Sequence, residues 1–199
     1  MIYFSADHHF GHKNIIKYCD RPFSSVDEMN EEMVARWNAR VDPQDTVYYL
    51  GDLSLSKAAV SLFVPRLHGE KHLIMGNHDL CHPLHKKKAE TGRQVYLESG
   101  FKTLELSGAM EIAGHLVHLN HMPYRMEPTR EEEVGRGGEI VEKYSTYRPT
   151  DRGLWLLHGH VHEKWKTKGR MINVGVDVWD YYPVSLSEIE KIISFIGWR

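Results

Sequence analysis

Short apolar runs that end in polar or glycine-marked turns recur along the chain and set its expected elements. Ile2 to Ser5 is the first, and it breaks into the polar, histidine-rich stretch Asp7 to Asn14. Ser25-Val26-Asp27-Glu28 has capping-box spacing, a hydroxyl at the cap and a carboxylate three residues on. Val26, Met29, Met33 and Trp37 then recur at helical spacing, predicting a helix through about Arg40. Thr46 to Leu50 is β-branched and aromatic and predicts a buried strand. Ser56 to Leu67 predicts a second helix that stops before Gly69, and His72 to Met75 a strand broken by Gly76. A third helical piece is expected around Pro83 to Thr91, with Lys86-Lys87-Lys88 on a solvated face. Strands are expected over Lys102 to Leu106, Met110 to Ala113, Leu116 to Leu119, Leu154 to Leu157 and Arg170 to Val174. Ser187 to Glu190 reads as a second capping box opening a last helix, whose buried stripe is Ile189, Ile192, Ile193 and Ile196.

Helices alternate with strands early and strands cluster later, so the expected class is α/β with a mixed sheet system in one domain spanning residues 1–199. Met126 to Thr150 breaks the pattern: it is charged, holds Gly135, Gly137 and Gly138, and has no period. Too little chain follows it for a second domain, so a mobile insert over a site is expected there.

Composition narrows the class further. With 41% hydrophobic and 26% charged residues the chain matches ordinary soluble proteins, and no apolar run reaches transmembrane length. Its formal net charge of −2 argues against a broad grip on nucleic-acid backbones and leaves room only for a local basic groove. Cys19 and Cys81 lack Cys-x-x-Cys spacing and read as reduced thiols, and the first strand leaves no signal peptide, so a cytoplasmic location is expected. The unusual feature is a count of 14 histidines.

Five pieces at the ends of strand-like runs draw attention, and four of them hold six of these histidines. The pieces are Asp7-His8-His9, Gly51-Asp52, Gly76-Asn77-His78-Asp79, Asn120-His121 and Gly159-His160-Val161-His162. Loops at strand ends are where a rigid scaffold presents functional groups. In extended chain, residues two apart share a side, so Asp7 and His9 can grip one ion while His8 turns away. His160 and His162 stand in the same relation, or serve two adjacent ions if their loop is tight. Two divalent cations about 3.5–4 Å apart need a shared anion between them, and Asp52, alone after its strand, suits that role.

The order Asp-x-His, Gly-Asp, Gly-Asn-His-Asp, His, Gly-His-x-His resembles the calcineurin-like metallophosphoesterase superfamily, over residues 7 to 162. Ser5-Ala6-Asp7-His8-His9-Phe10-Gly11-His12, followed by Arg21-Pro22-Phe23, further resembles a compact branch found in bacteria and their phages. The resemblance implies a four-layer αββα fold, two mixed sheets packed as a sandwich with helices outside. It also implies that Asp7, His9 and His162 bind one metal, that Asn77, His121 and His160 bind the second, and that Asp52 bridges them. His78 would assist the leaving group, oriented by Asp79, after attack by a metal-bridging hydroxide. Leu53-Ser54-Leu55 stands where many relatives carry a further Asp or Asn after the bridging Asp, a departure in the surroundings of Asp52. The nitrogen and oxygen donors fit two ions drawn from manganese, iron, zinc and nickel.

The expected function is therefore a metal-dependent phosphoesterase acting on a phosphate ester, a nucleotide among the candidates, with a diester favoured. A nuclease acting on DNA or RNA and a non-catalytic scaffold on the same fold are the alternatives. His12 and Asn14 either touch substrate or order the first loop. Arg21 and Arg125 are candidate clamps for phosphate oxygens, a geometry that suits guanidinium forks. His68, His72, His82, His85, His115 and His118 read as ordinary polar residues, as does the aromatic set Trp179, Tyr181 and Tyr182 as packing.

Overall fold

The computed structural model describes residues 1–125, 144 and 146–197. In it the β-rich runs form two mixed five-stranded sheets. Strands β1 (Ile2–Ser5), β2 (Thr46–Tyr49), β3 (Glu70–Ile74) and β4 (Phe101–Glu105) run parallel in the first. The second holds β5 (Ser107–Ile112), β6 (His115–Asn120), β7 (Trp155–His158), β8 (Thr167–Lys168) and β9 (Met171–Asn173) in the order β5-β6-β7-β9-β8. A short strand, β10 (Val184–Ser185), pairs antiparallel with the free side of β1, Tyr3 opposite Ser185.

Strand alternation divides the core between two interfaces. Tyr3, Val47, Tyr49 and Leu73 face helices α2 (Val26–Arg40), α3 (Lys57–Phe63) and α4 (Lys87–Glu98), meeting Met33, Trp37, Val60 and Tyr96. Phe4 and Ile74 face the second sheet, where Val117, Leu119, Leu157 and Ile172 pack against them. Helix α5 (Leu186–Gly197) adds Ile189 and Ile193 to this inter-sheet core. The outer face of the second sheet carries a small cluster of Tyr124, Leu156 and Met171, with Trp165 against it. This is the sandwich of two mixed sheets with flanking helices that the sequence led one to expect. Trp37 is fully buried, and its truncation to Ala would cost about 3–5 kcal/mol through the cavity left behind.

Several element ends shift from the expected ones for local reasons. The Ser25 hydroxyl accepts from Glu28 N–H as a cap should, but the Glu28 carboxylate takes the Ser24 amide. Helix α3 ends at Phe63 and continues as one 3₁₀ turn, because Pro65 has no amide hydrogen to extend the ladder. The third helix runs later and longer than Pro83 to Thr91, since Lys86 takes a positive φ of 53° between a 3₁₀ turn and α4. The last capping box lies two residues upstream of the expected one: Ser185 and Glu188 exchange the two cap bonds, and Ser187 is inside the helix. Of the insert expected over Met126 to Thr150, residues 126–143 and 145 lie outside the described residues. Among the described residues no helix is long and apolar enough to cross a membrane.

The topology matters most at one edge. Asp7, Asp52 and Asn77 follow the carboxyl ends of the parallel strands β1, β2 and β3, while His121 and His160 follow β6 and β7. Carboxyl ends of parallel strands are where open α/β sheets place their ligands.

Candidate functional site

The loops after β1, β2 and β7 are held in unusual backbone conformations. Asp7 (φ 61°), His9 (φ 53°), Asp52 (φ 59°), His160 (φ 71°) and His162 (φ 51°) all occupy the left-handed region. They make up five of the ten described non-glycine residues that do so, which concentrates the strain at this edge. Each such residue costs on the order of 1–3 kcal/mol and persists only where its surroundings enforce it. Here the enforcing contacts are visible. Asp7 N–H donates to the Gly51 carbonyl at 2.9 Å, His9 N–H to Asp52 at 3.1 Å and Phe10 N–H to Leu53 at 2.8 Å. His160 N–H donates to the Asp7 carboxylate at 2.9 Å, tying the β7 loop to the β1 loop.

These loops bring the expected residues into two buried groups. Asp7, His9 and His162 offer ligand atoms all within 4.8 Å of one another, and so do Asp52, His121 and His160. Asp52 lies between them, its Oδ2 at 3.7 Å from His9 Nε2 in the first group and 3.4 Å from His121 Nε2 in the second. Its other oxygen accepts the His78 amide at 2.8 Å, which fixes the carboxylate plane. Asp7 Oδ1, both ring nitrogens of His9, Asn77 Oδ1 and His121 Nε2 are buried without a hydrogen-bond partner. So many buried polar atoms without partners in one place are the arrangement that a bound water or cation would complete. The donors are nitrogen and oxygen, so the residues present fit divalent cations of intermediate hardness. Two glycines keep the space open. A Cβ on Gly76 would sit 2.2 Å from Asp52 Oδ1, and one on Gly159 would sit 2.5 Å from Asp7 Oδ2.

Electrostatics prepare the imidazoles unequally. Burial holds His9 and His160 well below their ordinary value, so both are neutral and carry a free lone pair. Burial would also lower His121 and His162, but the carboxylates beside them win. Asp52 raises His121 to about 9, and a hydrogen bond to Asp177 together with Asp7 raises His162 to about 11. Burial pushes the Asp7 carboxyl up to about 6. Burial acts on Asp52 in the same direction, yet the surrounding His121, His9 and His78 hold it well below the usual carboxylate range. Carboxylates beside two of the four imidazoles thus favour positive charge within this centre.

The groups behind these residues correct two expectations. Arg21 is not available to clamp phosphate: it is buried, and all five of its N–H directions are engaged. Nε and one terminal nitrogen bind the Asp177 carboxylate at 2.7 and 3.0 Å. The terminal nitrogens also donate to the backbone carbonyls of Asp7 at 2.7 Å and His8 at 2.9 Å, and to Met29 Sδ. Asp177 in turn accepts from His162 Nδ1 at 3.0 Å, leaving His162 Nε2 for the cluster. Asp79 does not orient His78. Its buried carboxylate turns inward and accepts four bonds, from the amides of Asp52, Leu53 and Gly76 and from the Tyr96 hydroxyl, at 2.7–2.9 Å. It staples the β2 loop to the β3 loop, while the His78 ring stands 43% exposed with Nε2 at 4.0 Å from Asp52 Oδ2.

The remaining candidates separate. His12 is half-buried, its ring 5.8 Å from that of His9, whereas Asn14 is exposed before the short helix α1 (Ile15–Tyr18) and caps nothing with its side chain. Arg125 lines a groove of about 620 Å³ with Asp151, Trp155 and Arg170, and no residue of the two groups lines that groove. Asp177 and Asn173 escaped the sequence reading. Asn173 donates to the His162 carbonyl at 2.8 Å and accepts the Gly175 amide. The available signal was another polar turn at a strand end, Asn173-Val174-Gly175-Val176-Asp177. His121 Nδ1 is fixed by the Leu50 carbonyl at 2.8 Å, a partner that no sequence pattern announces.

No family model matches the chain. It is 35% identical to "Uncharacterized protein MJ1445" of Methanocaldococcus jannaschii over 97% of this chain and 91% of that one. It is 29% identical to the "Gene 66 protein" of Mycobacterium phage D29, covering 98% and 96% of the two chains. Among solved structures, AQ665 from Aquifex aeolicus, titled a protein of unknown function, superposes with a TM-score of 0.65 at 30% identity, over 97% of this chain and 99% of that one. By identity and by near-complete coverage in both directions, the chain belongs to the family of the archaeal protein MJ1445.

Proposed function

We propose that the protein is a metal-dependent phosphoesterase that hydrolyses a phosphate diester at this edge. The observation that carries the reading is Asp52, whose one oxygen stands within 3.7 Å of a histidine from each group. Asp7, His9 and His162 would hold one divalent ion, Asn77, His121 and His160 the other, and Asp52 would be common to both. Such ions supply Lewis acidity toward the phosphoryl oxygens and a nucleophile at neutral pH.

The chain's own residues do the rest. His9 and His160 offer neutral imidazoles, and the Leu50 carbonyl and Asp177 point the Nε2 atoms of His121 and His162 inward by holding Nδ1–H. His78, whose ring is 43% exposed, would give a proton from Nε2 to the departing alkoxide. A diester is favoured because its single negative charge needs no additional cation, and Arg21 is already committed to Asp177.

The test is hydrolysis of bis-p-nitrophenyl phosphate and p-nitrophenyl phosphate by metal-stripped protein, with manganese, zinc, nickel or magnesium restored and bound metal counted per chain. Diester cleavage that returns with metal supports the reading. Two bound ions with no turnover of either ester, or turnover indifferent to metal removal, would overturn it. A His78→Gln variant should lose most activity on esters with poor leaving groups while retaining its ions. Equal loss on good and poor leaving groups would remove His78 from the acid role.

A further inference from the structure

A cavity of about 190 Å³ opens beside His121, between the carboxyl ends of β3 and β6 and the start of β5. Pockets that take a whole drug-sized ligand run from roughly 300 to 1,000 Å³, so this one has room for a single substituent. Met75 and Met122 form apolar walls, Ser107 and Asn120 add polar rims, and His82 and Tyr147 close one side. No Asp, Glu, Lys or Arg is among its described lining residues, a lining that suits an uncharged group.

His82 lines the cavity with a ring whose Nδ1 is already taken. The ring is buried, 2% exposed, and braced edge-on by Tyr147 with centroids 4.5 Å apart. Its Nδ1 accepts from Leu84 N–H at 3.1 Å. A nitrogen that accepts carries no hydrogen, so in the neutral ring the proton sits on Nε2. That N–H makes no hydrogen bond among the described residues. Thioethers suit the edges and faces of aromatic rings, and two of them line the same small space.

We propose that this cavity binds a neutral heteroaromatic ring of the ester, a nucleobase in size and chemistry, with a ring nitrogen or carbonyl oxygen accepting from His82 Nε2–H. The phosphate of the same molecule lies at the neighbouring Asp52 centre, with which the cavity shares His121. The proposal rests on the phosphoesterase reading and names its substrate as a nucleotide ester.

The test compares kcat/KM of the metal-loaded protein for p-nitrophenyl esters of thymidine and adenosine 5′-monophosphate against methyl p-nitrophenyl phosphate. The leaving group is common, so the ratio reports the nucleoside. A preference of at least about tenfold for one nucleoside ester is expected, the scale on which a filled pocket discriminates. His82→Phe removes the donor, and Ser107→Trp fills the cavity from the exposed start of β5. Each should lower that ratio and weaken calorimetric binding of the nucleoside monophosphate relative to inorganic phosphate by about the same factor. A ratio near one in the parent protein, or a ratio unmoved in both variants, overturns the proposal. If no ester is cleaved with any metal, the phosphoesterase reading fails. Calorimetry then decides the cavity separately: nucleoside monophosphate bound more tightly than phosphate, and lost in both variants, upholds it, and equal affinities end it.

Discussion

The two buried groups at the strand ends carry the same kinds of atoms but are braced by different means. The first, Asp7-His9-His162, leans on charge brought from far along the chain. Arg21 grips the carbonyls of the Asp7 loop and the Asp177 carboxylate, and Asp177 holds His162. The second, Asp52-His121-His160, leans on backbone and on a buried carboxylate that staples two loops. The Leu50 carbonyl fixes His121, and Asp79 gathers the amides of Asp52, Leu53 and Gly76. A long-range ion pair sets a direction at one atom, whereas a carboxylate accepting several amides sets the shape of a loop. The first group should therefore fail one ligand at a time, and the second as a unit.

The largest effect should come from Asp52, the residue common to both groups. Asp52→Asn should abolish metal-dependent turnover and weaken retention of both ions, measured by metal content after dialysis. Unchanged metal content with full activity would refute its shared position. Next, Asp177→Asn should weaken binding of one ion by about 10–100-fold and leave the other nearly unaffected. Arg21→Lys should behave alike, since an ammonium cannot reproduce the fork that spans Asp177 and two carbonyls. Equal weakening of both ions in these variants would erase the contrast. Asp79→Asn should instead lower unfolding stability by about 1–3 kcal/mol in chemical denaturation, because an amide cannot accept all four bonds. It should also loosen both ions together rather than one.

The smallest effect concerns the buried histidine behind each group. Burial lowers both His8 and His158 to about 3, against 6.5 for a free imidazole. Below 6.5 the unfolded chain takes up protons that the folded chain refuses, so their contribution is complete above that pH and is lost as pH falls toward 3. The denaturation midpoint of metal-free protein should drop between pH 7 and 5. His158→Phe and His8→Phe should each shallow that drop, although each variant also loses one hydrogen bond, to the Gly159 carbonyl and the Tyr49 hydroxyl respectively. An identical pH profile in both variants and the parent would remove these residues from the acid response.

Much of this edge was legible in the sequence because strand-end turns concentrate side chains of one chemical kind. Asp7, His9, Asp52, His121, His160 and His162 stood out by type and spacing, and the fold brings them together. The capped helix α2 and the early parallel strands were legible for the same reason, as local patterns with local causes. Partners from distant parts of the chain were not. Nothing in Arg21-Pro22-Phe23 announces a carboxylate 156 residues away, so an arginine that braces the site read as one that meets substrate. Asp79 differs likewise from what the resemblance implied: its carboxylate is taken up by the amides of Asp52, Leu53 and Gly76 and by the Tyr96 hydroxyl, not by His78. His82 was set aside as an ordinary polar residue because only the fold places it beside His121 in a cavity wall.

The position of β1 bears on how the protein is made. Ile2–Ser5 lies inside its sheet, flanked by β2 on one side and by β10, with Val184 opposite Phe4, on the other. A chain emerging from the ribosome can set β1 beside β2 early, but the other edge of β1 stays unpaired until Val184 and Ser185 have appeared. His160, His162 and Asp177 arrive in the same late stretch. The Asp7 loop therefore waits, incomplete and rich in carboxylate and imidazole, until residues 160 to 177 have been made. Contacts this distant in sequence slow folding, and a ribosome stalled before residue 160 would carry a nascent chain able to pair β1 to β4 but unable to assemble the Asp7-His9-His162 group.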